Sequence, residues 1–208
     1  VPTKSYICLY IGLNGTAEEL GLKDTNLWIY NDYDHDKSLE HSSLDINNDF
    51  PVLYVSFPST KDPTWQEQFP GNSSMEAITF SSDEWFADWK NNEWKNRGDK
   101  YEKLKDELTD RIMNIVYKNV PQVKDKIDYI ELSTPLTVQS LANYEKGEMY
   151  GIEHGPERFK QKWLKPKTPI KNLFLTGQDV TTVGFTSALF SGLLTTSVIL
   201  KKNLTKDL

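Results

Sequence analysis

Asn172-Leu173-Phe174-Leu175-Thr176-Gly177-Gln178-Asp179, followed after a short gap by Gly184 and the segment 185–200, is the stretch on which the reading of the chain turns. Its pattern predicts a short strand over 172–176, a tight turn over 177–179 and a helix from Gly184 to about Lys202. Three properties of that arrangement suit a dinucleotide-like ligand. Glycine lets the backbone approach a ligand closely. A carboxylate just past a strand can accept hydrogen bonds from sugar or ribityl hydroxyls. The start of a helix offers unpaired N–H groups and a partial positive charge to an anionic group. Asp179 is equally suited to capping the helix or its own turn, so these residues by themselves leave both roles open. In the helix, Phe185, Leu189, Leu193, Thr196 and Leu200 share one side, and Lys201 and Lys202 complement the negative end of the dipole. Interrupted by Ser and Thr and short for a bilayer span, the stretch is expected to be a helix buried inside protein.

The chain before it is strand-like to about Ser82. Runs at Tyr6–Leu13, Leu27–Tyr30, Pro51–Phe57 and Met75–Phe80 are separated by polar turns, Asn14-Gly15 among them, and predict one antiparallel or mixed sheet. Residues 31–50, rich in Asp, Asn, Ser and His, read as a long solvated loop. Ser81 with Glu84 has capping-box spacing and announces a helix on which Trp85 and Trp89 share a face. A longer helix is predicted from about Lys100 to Asn119, its core stripe made by Tyr101, Leu104, Leu108, Ile112, Ile115 and Val116, with Pro121 ending it. The fold class expected is α/β with α+β character.

Composition removes several functions. With 24 basic against 30 acidic residues the formal charge is −6, and no basic block tracks a phosphate backbone, so nucleic acid is not an expected partner. Cys8 is the single cysteine and sits in an apolar run, which favours a small buried side chain over a redox thiol. The three histidines are scattered without metal-ligand spacing, so no metal is expected, and no nucleophile elbow is present. His35 and His41 fall in the solvated segment, while His154, near Tyr150 and Gly151, is the one carried as a candidate site residue beside a structural role. No catalytic residue is assigned.

The stretch from Asn172 to Asp179, with Gly184, Ala188-Leu189 and Gly192-Leu193-Leu194 after it, resembles the C-terminal FAD signature of the retinol saturase and carotenoid desaturase group of flavin-dependent oxidoreductases. Similar segments recur in order along the chain: Leu13-Asn14-Gly15-Thr16, Lys61-Asp62-Pro63-Thr64-Trp65, Glu84-Trp85-Phe86, Ser133-Thr134-Pro135-Leu136-Thr137, and Tyr150-Gly151 with His154. The resemblance implies that Gly177 and Asp179 contact the ribityl–pyrophosphate part of FAD and that Gly184, Phe185 and Thr186 lie at the flavin ring. The chain departs from the family pattern at Ser187 and Ser191 and lacks the Pro-Gly-Gly run of phytoene desaturases. No Gly-x-Gly-x-x-Gly follows a strand, so the adenine-side half of the FAD domain is expected upstream of Val1.

The division then expected is a portion of a substrate-binding domain over 1–140 and the closing strand and helix of a Rossmann-like FAD domain over 141–208. The first strand is apolar on both faces, with Ile7, Leu9, Ile11 and Leu13 on one and Tyr6, Cys8 and Tyr10 on the other. Either the sheet is a doubly covered core, or one face lines a cavity for a hydrophobic polyene, with Tyr54, Phe57 and Phe80 extending the wall. By resemblance the reaction is reduction of one carbon–carbon double bond of a retinol-like or carotenoid-like polyene, with isomerisation, desaturation or non-catalytic polyene binding as alternatives. It implies an external electron donor and a cytoplasmic location or peripheral membrane association, at the endoplasmic reticulum in a eukaryote.

Overall fold

Strand β1 (Ser5–Asn14) lies inside the sheet, paired along both of its edges. The computed structural model describes residues 2–206 and adds β2 (Leu27–Tyr30), β3 (Val52–Ser56), β4 (Asn72–Ser81) and β5 (Ile127–Ser133). They form one antiparallel sheet in the order β2-β3-β4-β1-β5. Among the described residues six α-helices accompany it: α1 (His35–Leu44), α2 (Trp65–Gln68), α3 (Asp99–Asn119), α4 (Pro135–Ala142), α5 (Pro156–Phe159) and α6 (Phe185–Leu200). The chain divides into two units, the first covering 4–147 and the second covering 148–206 together with residues 2–3. Among the described residues no helix is long and apolar enough to cross a membrane.

In the first unit, Ile7, Leu9, Ile11 and Leu13 form one core with Leu53, Val55, Met75, Ala77 and the α3 residues Tyr101, Leu108, Ile112, Met113 and Val116. The α3 stripe is thus core, as its period predicts. Phe57 belongs to this core at 4% exposure and not to the opposite face of the sheet, because alternation puts it on the side of Leu53 and Val55 and opposite Tyr54. Trp85 and Trp89 pack partly against the core from a 3-10 turn over Asp83–Trp89. Its cap is Ser82, whose hydroxyl accepts the Glu84 amide, so the start lies one residue beyond the Ser81 spacing.

Residues 31–50 are not a continuous loop. Asp34 accepts the Lys37 amide and caps α1, a helix with only Ser42 buried. Its two leucines are too few for a periodic apolar signal, and local capping decides the conformation instead. His35 and His41 lie exposed on it, His35 stacked on Tyr30 at 4.2 Å. Two elements were not legible at all: β5, and α4, which Pro135 opens and Thr134 and Thr137 cap reciprocally. The Tyr101 hydroxyl meets that of Thr134 at 2.6 Å, tying α3 to the start of α4.

The second unit departs from expectation twice. Residues 172–176 form no strand beyond a single bridge between Phe174 and Lys167. Asn172 has φ of 64°, and the neighbouring backbone is satisfied otherwise: Thr168 Oγ1 donates to the Leu173 carbonyl and Thr195 Oγ1 to that of Leu175. Helix α6 forms between Gly184 and a left-handed Lys201, yet Phe185, Leu189 and Leu200 are more than half exposed in this chain. Its buried residues are Ser191 and Thr195, so the expectation of a helix buried by its apolar side is not met.

Candidate functional site

The turn from Gly177 to Thr181 is held from three directions, and none of the three is a strand ladder. The first is α6. Ser187, Ser191 and Thr195 recur every four residues and so share one helix face. Ser191 Oγ accepts the Gly177 amide at 2.6 Å and donates to its own helix at Ala188 O, while Thr181 Oγ1 donates to the Ser187 carbonyl. Of the two residues that depart from the family pattern, Ser191 fastens the turn through its hydroxyl, and Ser187 through its backbone carbonyl while its hydroxyl meets that of Thr182. The signal was present as hydroxyls at four-residue spacing in an otherwise apolar helix.

The second direction is the Gly151 bend. Asp179 Oδ1 accepts the Ile152 amide at 3.1 Å. A carboxylate offers about four acceptor positions, so Asp179 retains capacity for a ligand hydroxyl. The bend is fixed by Thr3, which donates its amide to Gly151 O and accepts the Tyr150 amide on its hydroxyl.

The third is Arg158, which sequence reasoning missed. Only 7% exposed, it donates through Nη2 to the carbonyls of Gln178, Asp179 and Thr181. Its Nη1 is enclosed without an acceptor among the described residues. Burial, then the Arg158 guanidinium, hold the His154 imidazole below its ordinary pKa against the opposing pulls of Asp179 and of a hydrogen bond with the Ile152 backbone. His154 thus lies by the turn, as its sequence neighbours suggested.

The residues present fit an extended anionic cofactor. Gly177 and Gly184 have φ of 104° and 100°, and a Cβ built on either meets nothing within 4 Å, so the backbone is approachable at both. Among the described residues no side chain caps α6, leaving its first amides to an external acceptor. Phe185 and Thr186 stand exposed at this helix start. The Arg158 Nη1, enclosed without an acceptor among the described residues, marks the same neighbourhood as polar but incompletely satisfied.

In the first unit, the sheet face away from α3 carries one register row across all five strands: Trp28, Tyr54, Ile78, Cys8 and Ser133. Trp28 and Tyr54 are in ring contact at 4.7 Å, and Tyr6, Phe80 and Tyr10 flank the row. Beside it opens a cavity of about 470 Å³ whose lining includes Tyr6, Tyr10, Trp94, Tyr129 and Leu141. Burial pushes the Cys8 thiol up to about 12, which makes it a packed side chain and a poor nucleophile.

By sequence the chain is retinol saturase-like. It is 40% identical over 207 residues, 96% of its length, to the all-trans-retinol 13,14-reductase of Danio rerio. It is 38% identical along its whole length to that of Rattus norvegicus and 33% identical to a Danio rerio protein named inactive all-trans-retinol 13,14-reductase. The chain spans about a third of the length of these relatives (34% and 35% of the first two). No family model matches it.

Proposed function

We propose that this chain is the C-terminal part of an FAD-dependent oxidoreductase that reduces a carbon–carbon double bond of a retinol-like polyene. The observation that carries the reading is the likeness, end to end, to proteins named for the reduction of all-trans-retinol. Gly177, Asp179, Gly184, Phe185 and Thr186 would hold the flavin. The two glycines let the cofactor reach the backbone, Asp179 accepts from its hydroxyls, and the uncapped amides of α6 favour negative charge at the ring. Bound and reduced, FAD would supply a hydride to one carbon of the double bond while a proton reaches its neighbour, and an external donor would restore the electrons.

The open face of the sheet serves the substrate. A row across five strands at about 4.8 Å per spacing is roughly 19 Å long, apolar at its aromatic end and suited to an extended polyene. Its work is to lay the polyene straight and exclude water. A carotenoid-like substrate and peripheral attachment to a membrane follow from the same reading, since both concern a long apolar ligand that partitions into lipid.

A non-catalytic retinoid-binding protein is the second reading, favoured by the match over the whole chain to a relative named inactive. Purified full-length protein separates the two. A yellow protein that, once reduced, converts all-trans-retinol to a product heavier by two hydrogens supports the reductase. Retinol binding with neither bound flavin nor product supports the binding protein and overturns the enzyme.

A further inference from the structure

Arg158 is buried although α5, its carrier, is a single turn with exposed neighbours at Glu157 and Phe159. Its Nη2 lies 2.7 Å from the Gln178 carbonyl, 2.7 Å from that of Asp179 and 3.0 Å from that of Thr181. Two N–H bonds serve three acceptors, so the carbonyls converge on the charge itself. Among the described residues no carboxylate stands within ion-pair distance of this guanidinium. Removing it would leave three carbonyl dipoles facing one another with nothing between them.

In a trans peptide the C=O and N–H of one unit point in opposite directions. Gathering the Gln178 and Thr181 carbonyls around Arg158 therefore turns the Asp179 and Thr182 amides away from it. We infer that Arg158 is the positioning residue of the flavin-binding turn, acting through those carbonyls to aim the turn's amides at an oxygen of the cofactor. The inference rests on the flavin reading above. Enclosure of Nη1 without an acceptor accords with it, since the side chain is held for the carbonyls and not for a salt bridge.

The test uses full-length protein, with FAD dissociation measured by fluorescence and folding measured by thermal unfolding of the apoprotein. Arg158→Gln is expected to raise the FAD dissociation constant at least about tenfold, the loss of one charge-assisted contact. Arg158→Lys, with a point charge on a shorter stem, is expected to weaken FAD about threefold or more while the apoprotein melts as wild type. Arg97→Gln is the control: Arg97 is equally buried and also bonded to a carbonyl, that of Leu136, but it lies in the first unit. It is expected to lower the melting temperature and leave FAD affinity unchanged. Wild-type affinity in both Arg158 variants overturns the inference while the flavin reading stands, and so does an equal loss in Arg97→Gln. Should Arg158→Gln not fold, Arg158→Lys decides by the same two measurements. A wild-type protein that binds no FAD overturns the flavin reading first, and this inference with it.

Discussion

The Asp179 carboxylate lies against Gly151, where a Cβ would stand only 2.7 Å from Oδ1. Gly151 also holds φ at 70°, a conformation that side-chain-bearing residues adopt at a cost. Gly151→Ala is therefore expected to destabilise the protein by about 1–3 kcal/mol, through backbone strain and displacement of the carboxylate from the Ile152 amide. Urea unfolding should show a lower midpoint at unchanged slope. In an Asp179→Ala background the same change should cost less, because the clash is gone and only the dihedral strain remains.

Ser191 is fully buried, and its hydroxyl is the acceptor for the Gly177 amide. Ser191→Ala leaves that amide without its partner, at a cost of about 1–3 kcal/mol. Hydrogen exchange reports it locally: the Gly177 amide should exchange faster, with the core amides of β1 unchanged. Ser197→Ala is the comparison, since Ser197 donates to its own helix at Leu193 O and accepts only the Leu204 amide. It should leave Gly177 exchange as it is.

How legible these residues were depends on the range of the forces that place them. The sheet and α3 follow from alternation and helical period, which are written in consecutive residues, and β1, β3, β4 and α3 appear within a few residues of expectation. Helix α1 was hidden because capping by Asp34, not periodicity, forms it. The turn at Gly177 was visible as glycine punctuation, but what holds it was not. Arg158 reaches it from about twenty residues away, and Thr3 acts on the Gly151 bend from across the chain. Neither a buried arginine nor a threonine leaves a periodic trace. The strand expected at 172–176 failed for a related reason: its hydrogen-bonding groups are met by Thr168 and Thr195, so the apolar run does not need a ladder.

Cys8 gives a pH dependence with a definite sign. Its thiol is raised from 9.0 to about 12, chiefly by burial, with Glu76 adding to the rise and Tyr10 opposing it. The unfolded chain loses this proton near pH 9 and the native protein keeps it, so the native state binds more protons in between. The Cys8 contribution to stability is expected to be level below pH 9.0 and to fall between 9.0 and about 12. Tyr10, also raised by burial, acts in the same direction. Cys8→Ala should flatten part of that decline in denaturant titrations. At pH 8 an alkylating reagent should modify Cys8 only after unfolding.

Trp28 and Ile112 separate the two faces of the sheet. Ile112 on α3 is fully enclosed among core side chains, and Ile112→Ala should destabilise by about 2–5 kcal/mol, the range for a large core residue cut to Ala. Trp28 is larger, but it is 62% exposed on an edge strand, with Tyr54 its ring partner. Trp28→Ala should cost less than about 1 kcal/mol in stability. If that face is the wall against which a polyene lies, the same substitution should raise KM for all-trans-retinol in the full-length protein several-fold and leave bound FAD unchanged. An unaltered KM in Trp28→Ala and in Tyr54→Ala together would remove this face from the substrate path, leaving its aromatic row as an ordinary exposed surface of the sheet.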